Sequence, residues 1–215
     1  TNICFPTEKN TIVIKIFEDV EIRSAAVSSS GNLISYAYIK KNEPNKIFLN
    51  VYNINTRIDQ QLYSWETDWF YPFLIWDKGE KSIFVAPCEK GKVLKIYLNK
   101  KIVEISERGD LIDLSEDGRY FLNVISLKKG NFAEIIDLKK GEKKKYKLKN
   151  WGSVCGVKII DQNEFLYSMF TSGFAGLGQL TCFYKVKINR EKIEEKLIGK
   201  THLPIGFSKI IFYRD

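Results

Sequence analysis

The stretch "IDLSEDGRYFLNVIS", residues 112–126, decides how the chain is read. An apolar strand runs into a polar turn at Ser115, Asp117 and Gly118, and a second apolar, aromatic strand leaves it. Glycine at 118 accepts the positive φ that a tight hairpin demands, while short Ser and Asp side chains bond to nearby backbone. The same outline returns in "AAVSSSGNLISYAYI" (25–39), "FLIWDKGEKSIFVAP" (73–87) and "VKIIDQNEFLYSMFT" (157–171), with Gly31, Gly79 and Asn163 at the turns. The spacing is roughly 40 to 50 residues, the range of a repeat architecture.

A second hairpin follows each of these, at residues 46–63, 92–106, 132–148 and 182–198. Its apolar residues alternate with polar ones, as in strands with one solvated face. Each repeat therefore holds four strands. β-Branched and aromatic residues dominate, and Gly and Pro fall between runs, which leaves no helix. Even "INREKIEEKLIG" (188–199) reads better as strand than as helix.

Four-stranded units at this period predict an all-β protein, a β-propeller whose blades pack radially because no blade alone can bury both faces. The turn "LSEDGRYFLNV" resembles the S-x-D-G-x-x-[ILF] hairpin of TolB-like and prolyl-oligopeptidase-type propellers, with Ser115, Asp117 and Gly118 matching closely. Ser29 to Leu33 and Asp77 to Ile83 match more loosely. The resemblance concerns architecture and implies binding or gating, with no transferable catalytic residue. It also leans towards an extracytoplasmic, mature exported protein.

Beyond the four repeats, the tail "LPIGFSKIIFYRD" (203–215) looks like an inner hairpin, and "NTIVIKIFEDV" (10–20) like an outer strand, with "NICFP" ahead of it. The expectation is a single domain over residues 1–215 with five blades. A composite blade would close the ring by pairing 10–20 with 209–215, hiding two sheet edges. The alternative is a segment of a larger propeller.

Composition bounds the function. At 215 residues and 44% hydrophobic content the chain can bury a full core, and no stretch reaches the roughly 20 apolar residues of a membrane helix. The net charge of +8 concentrates in "LKKGEKKKYKLK" (138–149), which could attract nucleic acid or an anionic membrane surface, or simply be a solvated outer strand whose lysines discourage edge pairing. Cys4, Cys88, Cys155 and Cys182 show no zinc or redox spacing and are expected to be buried thiols. No cofactor or metal is indicated.

"SMFTSGFAGLGQLTCFYKV" (168–186) carries Gly173, Gly176 and Gly178, but strands flank it on both sides. A phosphate loop needs a helix N-terminus after the glycines, so a plain connection or a flap is expected instead. The blade-to-blade connections at 19–23, 65–71, 107–110, 150–155 and 200–204 hold scarcer residues. Trp65, Trp69, Trp151 and His202 lie there, with the charges Glu21, Arg23, Glu66, Asp68, Arg108 and Asp110. Aromatic faces beside charged groups fit a pocket for a protein, peptide or other polar ligand. The competing reading has the aromatics wedged between blades.

Trp69, Trp151, His202, Glu66, Asp68, Arg108, Asp110 and Arg23 are thus the candidate ligand-binding set of a non-catalytic binding module, with a protein or peptide as partner. The alternative is a five-bladed glycoside hydrolase using convergent carboxylates, with Glu21, Asp68 and Asp110 as candidates. A serine triad is disfavoured by the single histidine and the lack of a G-x-S-x-G elbow. Nucleic acid is a weak candidate, because the basic run and the aromatic connections fall on different parts of a blade.

Overall fold

A computed structural model describes residues 2–6, 11–15, 19–67, 71–149, 152–171, 180–189 and 192–201. These contain 18 strands, beginning with the antiparallel pair β1 (Asn2–Pro6) and β2 (Thr11–Lys15). Four sheets of four antiparallel strands follow, each strand bonded to the next in sequence. Blade A holds β3 (Val20–Val27), β4 (Leu33–Lys40), β5 (Glu43–Asn53) and β6 (Asp59–Glu66). Blade B holds β7 (Phe73–Trp76), β8 (Ser82–Ala86), β9 (Val93–Tyr97) and β10 (Ile102–Ser106). Blade C holds β11 (Leu111–Leu114), β12 (Tyr120–Leu127), β13 (Gly130–Asp137) and β14 (Glu142–Lys147). Blade D holds β15 (Ser153–Asp161), β16 (Glu164–Thr171), β17 (Leu180–Asn189) and β18 (Lys192–Thr201). The fold is all-β, with the four-stranded blades of a propeller. Two compact units, residues 1–107 and 108–215, divide the chain, and each is described by itself.

The first hairpin of blades A to C is one turn used three times. Counting from Ser28, Asp77 or Ser115 as the first residue, its N–H donates to the carbonyl five residues on, at 2.8 to 3.0 Å. The N–H three residues on returns to its own carbonyl, at 2.8 to 3.0 Å. The first side chain then accepts the N–H five residues on: Leu33 to Ser28 Oγ at 3.2 Å, Ser82 to Asp77 Oδ1 at 3.2 Å, and Tyr120 to Ser115 Oγ at 2.8 Å. Short polar side chains at that position are required because only they reach back to the backbone without filling the turn. Blade A aligns through Ser28 rather than Ser29.

Gly31 and Gly118 take φ of 75° and 72° as expected, but in blade B the left-handed residue is Glu80, at 54°, and not Gly79. Glu80 is held there by the neighbouring blade, its carboxylate accepting from Ser29 Oγ at 2.8 Å and Ser30 Oγ at 2.7 Å. Blade D departs more: Asp161 pairs directly with Glu164, and Asp161 Oδ1 accepts the Asn163 N–H at 2.7 Å.

The second strands are mostly apolar because both faces of a blade are covered. In β4, Ala37 and Ile39 join Leu49, Trp65, Trp76, Ile83 and Val85 in a core shared by blades A and B. Ile34, Tyr36 and Tyr38 point the other way, onto Phe48 and Val20. Blades C and D share an equivalent core, in which Leu122, Val124 and Ile135 meet Phe165, Tyr167 and Met169. Burying each such side chain contributes about 1.5–3 kcal/mol. Trp76 also donates from Nε1 to the Ala26 carbonyl at 3.1 Å, tying β7 to β3.

Cys88 and Cys182 are buried free thiols and Cys155 is a half-buried one; burial pushes the Cys88 thiol up to about 12. Residues 188–189 and 192–199 are strand, as expected. β2 pairs with β1, and residues 202–215, the other half of the expected closing blade, lie outside the described residues. Most of the glycine loop, 172–179, lies outside them as well.

Candidate functional site

In the first unit the site is built around Arg23. The register of β3 on β4 shifts between Ile22 and Ser24, so Arg23 sits in a β-bulge. A bulge re-aims the side chain it carries, and here it sends the guanidinium towards the connection into blade B. Arg23 donates to Glu21 Oε2 at 2.9 Å and to the Tyr71 hydroxyl at 3.0 Å. Its guanidinium carbon also lies 5.1 Å from the Tyr71 ring centroid. The Arg23 side chain is 13% exposed, so it is held largely out of water between a carboxylate and a ring. Tyr71 is 56% exposed and Phe73, which opens β7, is 40% exposed. One outward aromatic ring, Tyr71, therefore covers one anchored cation, while Phe73 lies on the face of β7 opposite Leu74 and Trp76, which pack towards blade A.

The other candidates fall as follows. Glu66 ends β6, exposed, opposite Lys46 on β5. Trp65 is not a site residue: β6 runs on through it, it is 3% exposed, and it stacks on Tyr63 with ring centroids 5.9 Å apart. Asp68, Trp69, Trp151 and His202 lie outside the described residues. In the second unit, Asp110 Oδ2 accepts the Ser126 N–H at 2.6 Å, pinning the start of β11 to the end of β12. The Arg108 carbonyl accepts Asn123 Nδ2 at 2.8 Å, while the rest of Arg108 is exposed. The structure thus gathers Arg23 with Glu21 and Tyr71, and gives Asp110 and the Arg108 backbone loop-holding bonds.

Tyr71 went unnoticed in the sequence. Nothing in "WETDWFYPF" distinguishes it from its neighbours, since the bulge that aims Arg23 at it is a register property.

The second unit carries a charged link between first strands. Asp113 on β11 accepts the Ile159 N–H at 2.8 Å and lies 3.1 Å from Lys158 Nζ on β15. Burial pushes the Asp113 carboxyl up from its ordinary range, and the lysine beside it only partly offsets this. Among the described residues no three His, Cys, Asp or Glu side chains are grouped so as to hold a metal ion. No described helix is long and apolar enough to cross a membrane.

No family model matches the chain, and no curated protein does. Solved structures do. TolB from Acinetobacter baumannii is similar with a TM-score of 0.60 at 12% identity, over 87% of this chain and 46% of TolB. The β-propeller domain of the Trilobed protease from Pyrococcus furiosus gives 0.58 at 15% identity, over 83% of this chain and 57% of that one. A prolyl endopeptidase gives 0.56 at 14% identity, over 91% of this chain and 38% of the enzyme. The likeness bears out the resemblance carried by the Ser115 turn and concerns the fold alone. This chain spans between 38% and 57% of the lengths of these structures.

Proposed function

We propose that the chain is a propeller-type binding module, a single functional domain that recognises a protein or peptide through the connections between its blades, without chemistry of its own. The observation that carries this reading is the patch of Arg23 and Tyr71. Tyr, Trp and Arg are enriched among the residues that dominate a protein interface. Here Arg23 is already oriented by Glu21 and Tyr71, so a ligand need not order it. Trp69, two residues before Tyr71, belongs to the same proposed surface. Glu21 and Asp110 are engaged by Arg23 and by the Ser126 N–H, a structural use that supports binding over acid–base catalysis. An extracytoplasmic setting is part of the same proposal and rests on the TolB likeness.

A random peptide library displayed on phage and selected against the folded chain supplies ligands. Photo-crosslinkers at Tyr71 and at Ile58, an exposed residue of the β5–β6 loop, then report where they sit. The proposal expects crosslinks from position 71 and few from 58; equal yields from both would count against it.

A further inference from the structure

Seven of the twelve residues from Leu138 to Lys149 are lysine, against the one acid Glu142. The structure puts most of them on β14, the outermost strand of blade C, whose one strand neighbour among the described residues is β13. Lys143, Lys145 and Lys147 stand opposite Ile136, Glu134 and Phe132, and so share one face of the sheet. Successive members are about 6.8 Å apart, the two-residue repeat of a strand. Lys145 is braced over the Phe132 ring at 5.1 Å, and buried Tyr146 holds the strand from its other face.

Protection of a sheet edge does not require this density. The outermost strands of blades A and B, β6 and β10, contain no lysine, and β18 of blade D mixes three lysines with two glutamates. The basic row is peculiar to β14. It repels a second copy of the same edge, since like charges placed directly opposite are destabilising.

We propose that the β14 edge is a docking surface for an extended, acidic polypeptide segment that adds as a further strand. An extended peptide with carboxylates at every second residue repeats at the same 6.8 Å or so and meets Lys143, Lys145 and Lys147 in register. Main-chain bonds to the edge give affinity and the alternating charges give specificity. A nucleic acid fits less well, because single strands need exposed rings for base stacking. Phe132 lies half-buried beneath Lys145 and Tyr146 is buried. The inference is independent of the proposed function.

The test titrates the intact chain with a fluorescent peptide alternating Glu and Thr. A block peptide of the same composition and a single-stranded oligonucleotide of equal charge are run beside it. The alternating peptide is expected to bind at least tenfold better than either, and to slow amide hydrogen exchange in residues 142–147. The combined Lys143→Gln, Lys145→Gln and Lys147→Gln variant should lose at least tenfold in affinity. Lys139→Gln with Lys140→Gln, at the hairpin tip before the strand, should lose less than about twofold. Equal binding of the block peptide, tighter binding of the oligonucleotide, equal losses in the two variants, or unchanged exchange on β14 would each overturn the proposal.

Discussion

Replacing Ser115 by alanine tests the repeated turn at its best-formed copy. Ser115 is 2% exposed, and its Oγ both accepts the Tyr120 N–H at 2.8 Å and donates to Asp117 Oδ1 at 2.5 Å. Ser115→Ala leaves that N–H without its side-chain acceptor beside an 8% exposed tyrosine, a loss of about 1–3 kcal/mol. The other copies grade the effect. Ser28 Oγ accepts the Leu33 N–H at a longer 3.2 Å, so Ser28→Ala should cost about 1 kcal/mol or less. Asp77 accepts from Lys81 N, Ser82 N and Ser82 Oγ at 2.8, 3.2 and 2.7 Å, so Asp77→Ala should cost the most. Urea denaturation followed by tryptophan fluorescence measures all three, and each kcal/mol should move Tm by about 2–4 °C. The expected order of cost is Asp77, then Ser115, then Ser28. Three equal costs, or Ser28 the most expensive, would refute the claim that these side chains hold the turns.

Gly152 has a φ of 151°, and a Cβ there would stand 2.6 Å from the Phe170 carbonyl oxygen; Gly152→Ala should therefore destabilise by at least about 2 kcal/mol in thermal unfolding. Asp113 has a raised carboxyl pKa, so its contribution is most favourable when protonated and falls as pH rises through the folded value. Asp113→Asn keeps an acceptor for the Ile159 N–H, and Lys158, 43% exposed, rehydrates; stability relative to the parent should rise from pH 3 to pH 7 in urea titrations, and a fall would contradict this. Glu80 has the opposite sign. Hydrogen bonds from Ser30 hold its carboxyl below the usual range, so its contribution is present above the unfolded value and lost as pH falls through the folded one. Glu80→Gln should cost under about 1 kcal/mol at pH 7 and nothing in strong acid.

The blades were legible because their turns depend on residue type. Ser115, Asp117 and Gly118 specify a local structure that no distant contact has to supply. The alternation in the outermost strands marks their solvated face in the same way, whereas third strands such as β5, over residues 47–51, are buried on both faces. Gly79 misled because the left-handed position passed to Glu80, whose cost in that conformation is offset by the serines of the adjacent blade. That is a tertiary effect, invisible to local propensity. Trp65 misled because the end of β6 is set by pairing with Ile47, which carries the tryptophan into the core. Arg23 was recognised as unusual, yet its partner Tyr71 lies 48 positions away and meets it only through a bulge.

The central claim, that the Arg23 and Tyr71 patch binds a polypeptide, is tested most directly by the affinity of one display-selected peptide for four proteins: the parent, Tyr71→Ala, Arg23→Gln and Ile58→Ala. Tyr71 and Ile58 are 56% and 62% exposed, so neither truncation removes core packing, and circular dichroism checks the fold of each. The account predicts losses of at least tenfold, or about 1.4 kcal/mol, for Tyr71→Ala and Arg23→Gln, with Ile58→Ala within about twofold of the parent. Equal affinities across all four folded proteins would contradict it.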